Sequence, residues 1–452
     1  MTTDQQASDE FADLADLLQD EQDIPPGSRG PLSPDARRAR RRRGLAALVA
    51  IALLLAAAAG YAAWALTAPL PAPVEASDVP RVATPAAAAL TLPVDGAAAI
   101  SVTGAEEHLG ADASGIWAAS GGNEPRPLAS ITKLIAALVI LDRYPLAGAD
   151  DPGPTITFSK ADHDLYDDYY VMGATIAAMP TGTRMPLRDA LAMMLVPSAS
   201  NYADAVSTWA FGSRWGFAEA SRAWLAKNGL SGTTVVEPTG LSRDNTSTPT
   251  DLIAIGELAA ANPVVAKIAR TSSINLSGPG LVYNTNGLLG TAGITGLKTG
   301  NLGAGAHNLL FTASVDVGTG TPLAVVGVVL GGATRQAVNT DVVLLLDSLR
   351  AGFHEVPVAT QGDVVGTYKT AWGEEVELVI SEDASIFTWF DTPITGVLGT
   401  TAPTAYDDGE VVGTITWTAG PETESVDVEI QGSIEPPDAW WRLTHPGLLD
   451  PG

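Results

Sequence analysis

Lysine is scarce in this chain: six among 452 residues, at positions 133, 160, 227, 267, 298 and 369. Two of them stand in patterns that carry chemistry. Ser130-Ile131-Thr132-Lys133 spaces a hydroxyl and an amine three residues apart, which on a helix puts them on one face. A serine hydroxyl is a weak nucleophile and needs a base within hydrogen-bond reach. Lys133 is such a base only when neutral, so its pKa must fall from about 10.4 through burial and a second cation nearby. Lys298 is the candidate for that cation. A capping serine followed by a solvated lysine is the plain alternative. Against it, the surrounding LASITKLIAALVIL is apolar on every side, and a buried lysine needs a reason. Lys298-Thr299-Gly300 joins an ammonium, a hydroxyl and a glycine that lets a ligand approach the backbone, a set suited to a carboxylate. Standing alone, it would read as an exposed turn.

The elements that must hold these groups follow from patterning. AAISV (98–102) and GIWAAS (115–120) read as strands joined by a turn. Helical runs begin at Ser130 and continue through MPLRDALAMMLV and NYADAVSTWAF. NLLFTASVDV and LAVVGVVLGG are apolar strands, and residues 335–353 close as a helix. This order predicts an α+β domain over residues 94–356, with helices packed on an antiparallel sheet. After Pro357 the helical signal stops. GDVVGTYKTAW (362–372) and GEVVGTITW (409–417) echo each other. With VELVI, SIFTWF and SVDVEI they predict a small all-β domain over 357–452.

Upstream, no charged residue lies between Arg43 and Glu75. The apolar run Leu45 to Leu66, at about 1.5 Å per residue, reaches about 33 Å, enough for a hydrocarbon layer of about 30 Å. Residues 44–66 are therefore expected to cross a membrane. RRARRRR on the N-terminal side places residues 1–43 in the cytoplasm and the rest outside, with Tyr61 and Trp64 at the far interface. A cleaved signal peptide at Ala63-Trp64-Ala65 is the rival, but the lead and the apolar run are both too long for it. Residues 67–93, rich in Pro and Ala, are expected to be a spacer. In the acidic tail, Phe11, Leu14, Leu17 and Leu18 could share a helix face, so residues 9–22 are a candidate dock for a cytoplasmic partner, beside the blander reading of a solvated tail.

Composition narrows the rest. The net charge of −26, with six of the 25 basic residues packed between Arg37 and Arg43, leaves no electrostatic route to a nucleic acid. Zero cysteines remove disulfides, thiolate metal sites and cysteine nucleophiles together. The five histidines, at 108, 163, 307, 354 and 445, form no H-E-x-x-H or H-x-x-E-H pair, so no metal or other cofactor is expected.

PLASITKL around Ser130, MLVPSASNYAD around Ser198, EPTGLS at 237–242, NTNGLL at 284–289 and TGLKTG at 295–300 stand in one order. In that order the chain resembles the serine D-alanyl-D-alanine carboxypeptidases, the low-molecular-mass penicillin-binding proteins, from about Val94 to Phe353. The resemblance implies a β-lactamase/transpeptidase-like catalytic domain followed by that family's β domain. It implies Ser130 as the nucleophile, Lys133 as its base and Ser198 as the proton relay to the leaving amine. It implies that Lys298, Thr299, Gly300, Asn301 and Arg335 serve substrate binding, with the N–H groups of Ser130 and Asn301 as oxyanion hole. Peptidoglycan stem peptides and β-lactams would be the ligands, met outside the cell membrane. Two departures stand out. Ser200 replaces the usual Asn of the S-x-N element, with Asn201 one place later, and Glu237 replaces the usual Asn before P-T-G-L. Ser200 motivates a second reading, a penicillin-recognising wall sensor with little turnover. Glu237 motivates a third, a class A-like β-lactamase, although the S-D-N of that class is absent.

Overall fold

The long uncharged run becomes one helix. In the computed structural model, which describes residues 34–82, 89–389 and 391–449, helix α1 spans Pro34–Thr67. Its apolar side chains Leu45 to Leu55 are exposed. The candidate docking stripe at 9–22 lies outside the described residues.

The chain divides into two compact units: residues up to Val74 with Lys369–Glu375 and the segment from Ile434, and Glu75–Tyr368 with Val376–Ser433. In the first, the C-terminal end of α1 holds the last described segment of the chain. Tyr61 Oη donates to Leu443 O at 2.6 Å and Arg442 Nη1 to Ala68 O at 2.9 Å. Ala65, Ala68 and Leu449 are buried together, with Leu70, Trp441 and Leu443 packed on them. The segment from Ile434 thus groups with α1 rather than with the β domain expected for 357–452. Packing of the half-buried Trp441 and Leu443 against small alanine positions holds it there, and a six-residue helix, Ala439–Thr444, is too short to announce its partner by periodicity.

The second unit is built on a five-stranded antiparallel sheet. Its strands are β1 (Ala97–Thr103), β2 (Ile116–Ser120), β3 (Ile294–Asn301), β4 (His307–Val315) and β5 (Leu323–Gly332), in the order β3-β4-β5-β1-β2. Side chains alternate between two cores, as a two-residue period requires. Ala98, Ile100, Val102, Leu309, Phe311, Ala313 and Val315 face one side. Ala99, Leu310, Val326 and Val328 face the other. Apolar residues on both faces explain why these strands read as nearly continuous hydrophobic runs.

One face carries α2 (Thr132–Arg143), α3 (Lys160–Val171), α4 (Leu187–Leu195), α5 (Ser200–Phe211), α6 (Arg214–Lys227), α7 (Pro249–Ala261) and α8 (Pro263–Arg270). The other carries α9 (Arg335–Gly352) through Val338, Val342, Leu345, Leu346 and Leu349. Helix α2 is the spine of the larger core: every residue from Thr132 to Leu141 is buried. Each large aliphatic among them contributes about 1.5–3 kcal/mol on leaving water. Around α5, the buried Asp204 accepts from Tyr169 Oη at 2.9 Å and from Arg214 Nε at 2.9 and 3.0 Å, which ties α3, α5 and the start of α6 together.

The C-terminal sheet has the strand order 74–77, 364–369, 375–380, 422–431, 411–419, 394–400. Its edge strand, Val74–Ser77, falls inside the stretch expected to be spacer, because one edge of a sheet accepts a short extended segment whatever its side chains. The sequence echo has a structural counterpart. Gly362 N–H donates to Ile380 O at 2.9 Å and Ile380 N–H to Asp363 O at 3.0 Å. Gly409 N–H donates to Ile430 O at 2.8 Å and Ile430 N–H to Glu410 O at 3.0 Å. The same turn opens two hairpins of one sheet. Against the five-stranded-sheet region this domain lays Phe387 and Trp389, which contact Phe353 and Trp117, and Glu422, which lies 2.8 Å from His108 Nδ1.

Candidate active site

Ser130 sits in a single 3-10 turn, Ala129–Ile131, that leads directly into α2. Its approach is strained: Ala129 has φ of 51°, a left-handed conformation that persists in a non-glycine residue only where its surroundings enforce it. Two neighbours do so. Buried Asn308, on β4, donates through Nδ2 to Pro127 O at 2.8 Å and to Leu128 O at 3.1 Å, and its Oδ1 accepts from Gly331 N–H at 2.8 Å. Gly300, on β3, lies so close that a Cβ there would stand 2.7 Å from Leu128 O and 3.0 Å from the Ala129 Cβ. The missing side chain of Gly300 therefore admits the turn that precedes Ser130.

Lys133 is fully buried one helical turn on, with Nζ 2.9 Å from Ser130 Oγ and donating to Thr239 O at 2.5 Å. Burial brings its pKa down to about 7, against an upward pull from the Glu237 carboxylate. Lys298 is also buried, on β3. Burial first, then the charges of Lys133 and Arg335, hold it well below the usual lysine range. Lys133 is thus lowered by burial rather than by the neighbouring cation expected, and it is Lys298 that feels the charge of the other lysine.

Thr299 Oγ1 and Thr285 Oγ1 share a hydrogen bond of 2.7 Å. Lys298 Nζ donates to Thr299 O at 3.2 Å and reaches Thr285 Oγ1 at 3.4 Å. Arg335, exposed at the start of α9, donates through Nη1 to Thr285 O at 3.5 Å. Thr285 thus joins Lys298, Thr299 and Arg335. Its own residue type gave no reason to single it out, although its NTNGLL context was visible. Asn301, at the end of β3, is exposed and accepts from Gly303 N–H at 2.8 Å.

Ser198 lies in the turn between α4 and α5, buried, with φ of 65°. Thr285 N–H donates to Val196 O at 3.0 Å, which ties this turn to the threonine pair. Ser200 starts α5, and its N–H donates to Thr175 O at 2.8 Å. Asn201 turns away to a different task. Its Nδ2 donates to Ala177 O at 2.8 Å and its Oδ1 accepts from Ala177 N–H at 3.2 Å.

Glu237 belongs to a loop rather than to a water site. Oε2 accepts from Thr239 N–H at 2.7 Å and Thr239 Oγ1 at 2.6 Å. Oε1 accepts from Gly240 N–H at 2.7 Å, Ser242 N–H at 3.2 Å and Asn245 Nδ2 at 2.7 Å. A carboxylate with five donors has no free lone pair aimed at a hydrolytic water, which removes the geometric ground for the class A β-lactamase reading. Among the described residues, no group of His, Asp and Glu is placed to hold a metal ion.

Comparison with known proteins finds relatives of the chain. The chain is 29% identical over 198 residues to a D-alanyl-D-alanine endopeptidase of Pseudomonas aeruginosa, covering 42% of this chain and 60% of that one. It is 25% identical over 274 residues to the D-alanyl-D-alanine carboxypeptidase DacF of Bacillus subtilis, covering 59% of this chain and 67% of that one. The crystal structure of penicillin-binding protein 6B from Escherichia coli shares the fold, with a TM-score of 0.51, 18% identity, 78% of this chain and 99% of that chain covered. The D-alanyl-D-alanine carboxypeptidase profile matches residues 109–334, half of the 452 residues and the whole span from Ser130 to Lys298. By that match the chain belongs to the D-alanyl-D-alanine carboxypeptidase family.

Proposed function

We propose that the protein is a membrane-anchored serine peptidase that removes the terminal D-Ala from peptidoglycan stem peptides and is acylated by β-lactams. The observation that carries this is the buried amine of Lys133, 2.9 Å from Ser130 Oγ. With a pKa brought to about 7, Lys133 is substantially neutral near neutral pH and able to accept the serine proton. Ser130 Oγ then bonds to the penultimate D-Ala carbonyl carbon. The N–H groups of Ser130 and Asn301 hold the oxyanion, each donor worth about 3 kcal/mol in such sites. Collapse breaks the peptide bond, and the departing amine takes a proton through Ser198. Water then hydrolyses the acyl-serine.

The substrate's terminal carboxylate is assigned to Thr299, Arg335 and Lys298. Its arrival changes the lysine pair. Two buried ammonium groups repel, so one proton is shed easily; a carboxylate beside Lys298 returns the charge to that side and leaves Lys133 the neutral partner. Helix α1, with arginines at one end and Tyr61 and Trp64 at the other, suits a single-pass anchor with residues 1–43 inside and the catalytic domain outside.

The test is incubation of the full chain in detergent with a pentapeptide muropeptide. Free D-Ala supports the reading. A stable acyl-enzyme without D-Ala turnover supports the sensor reading, for which Ser200 is the argument. The Pseudomonas relative's name supports one further substrate, a D-Ala-containing cross-link. The chemistry is unchanged and only the leaving amine is larger, so a cross-linked dimer converted to monomers would identify it.

A further inference from the structure

Glu237 stands where the family usually has Asn, and the peptidase chemistry just described leaves it no role. Its five hydrogen bonds all go to donors between Thr239 and Asn245. Asn245 completes the knot: fully buried, it accepts from Val236 N–H at 2.7 Å and donates to Glu237 O at 3.0 Å. This closed loop presses on the nucleophile. Gly240 has φ of +83°, and a Cβ there would stand 2.0 Å from Ala129 O and 3.0 Å from Ser130 N. One residue earlier, the Thr239 carbonyl accepts from Lys133 Nζ.

We propose that Glu237 is the positioning residue for the catalytic base: its carboxylate folds the 237–245 loop so that the Thr239 carbonyl engages one N–H of Lys133 and leaves the amine lone pair facing Ser130 Oγ. A neutral amine has two N–H groups and one lone pair, so fixing an N–H restricts where the lone pair points. The single negative charge near Lys133 also acts on its proton. Among the described residues, the other charged or titratable groups nearby include Lys298, which feels the charges of Lys133 and Arg335, Tyr169 and Arg214, which feel Glu237 from α3 and α6, and Arg243 and Asp244 on the loop itself. Of these, Glu237 favours the charged form of Lys133, and the charge of Lys133 in turn disfavours that of Lys298.

The inference rests on Ser130 being acylated, so the rate of acylation by a fluorescent penicillin is its readout, measured against pH on the full chain. Glu237→Gln keeps the shape, removes the charge and leaves one acceptor oxygen. It is expected to slow acylation at the plateau about ten-fold, the loss of roughly one hydrogen bond of positioning. It should also move the acid limb of the rate to lower pH, because the charge that favoured protonated Lys133 is gone. Glu237→Asp keeps the charge and shortens the reach. It should slow the plateau while leaving the limb nearer its wild-type position. A Glu237→Gln protein that melts lower but acylates with unchanged rate and unchanged limb would overturn the proposal, since a merely structural carboxylate does that. Failure of the wild type to acylate would overturn both this inference and the proposed function, whereas wild-type acylation with indifferent variants overturns this one alone.

Discussion

Lys133 Nζ stands 2.5 Å from the Thr239 carbonyl oxygen and 2.9 Å from Ser130 Oγ. One buried amine thus links the main chain of the 237–245 loop to the proposed nucleophile. Its burial sets the pH at which it works. With a native pKa brought to about 7, the acylation rate should climb with pH through that value and level above it. A pH profile of penicillin labelling checks this, and a limb near pH 10 would contradict it.

The same shift has a stability consequence. Lys133 titrates lower in the native state than the roughly 10.4 of an unfolded chain. Between about pH 7 and pH 10 the unfolded state therefore binds more protons, and stability rises with pH across that window. Relative to Lys133→Met, the wild type should gain stability as the pH rises from 7 to 10. Chemical denaturation at several pH values measures it.

Ser200 and Asn201 should behave differently. The Asn201 amide holds both backbone groups of Ala177, so Asn201→Ala should lower stability by about 1–3 kcal/mol by leaving buried groups unpaired. Ser200→Asn places an amide where the family carries one. It should raise the acylation rate several-fold, since one added transition-state hydrogen bond is worth about 1 kcal/mol. Melting and labelling rates on both variants separate the two roles.

Arg214 is more than half exposed, but its partner Asp204 is buried. Arg214→Met should leave that carboxylate with Tyr169 and Thr208 alone and cost about 1–3 kcal/mol, less than a fully buried pair because solvent reaches the guanidinium. Denaturant midpoints check this, with Asp204→Asn in the Arg214→Met background recovering part of the loss.

Protease added to intact cells should degrade the chain beyond residue 67 and spare a fragment containing residues 1–66. Protection of the catalytic region would reverse the proposed orientation.

The side chains proposed to do chemistry were legible wherever a local element aligns them. Ser130 with Lys133 needs only one helical turn, and Lys298 with Thr299 only one strand. The groups that hold them were not. The acceptor behind Lys133 is the main chain of Thr239, which no residue type advertises. Asn308 acts across more than 170 residues of sequence. Thr285 becomes meaningful only when the Thr299 hydroxyl, 14 residues on, is beside it. Glu237 stood out merely as a departure, although its donors Thr239, Gly240, Ser242 and Asn245 all follow within eight residues. In the fold, the helices packed on an antiparallel sheet followed from the order of helical and strand patterns. The edge strand Val74–Ser77 and the return of Trp441 and Leu443 to α1 did not, because four exposed residues and one short helix carry no period to read.

The central claim is that Ser130 is the acylated residue. Intact-mass and peptide mass spectrometry after reaction with benzylpenicillin tests it most directly. One penicilloyl adduct on the peptide containing Ser130, absent from Ser130→Ala and nearly absent from Lys133→Ala, is the result expected. An adduct on any other residue, or undiminished labelling of Ser130→Ala, would contradict it.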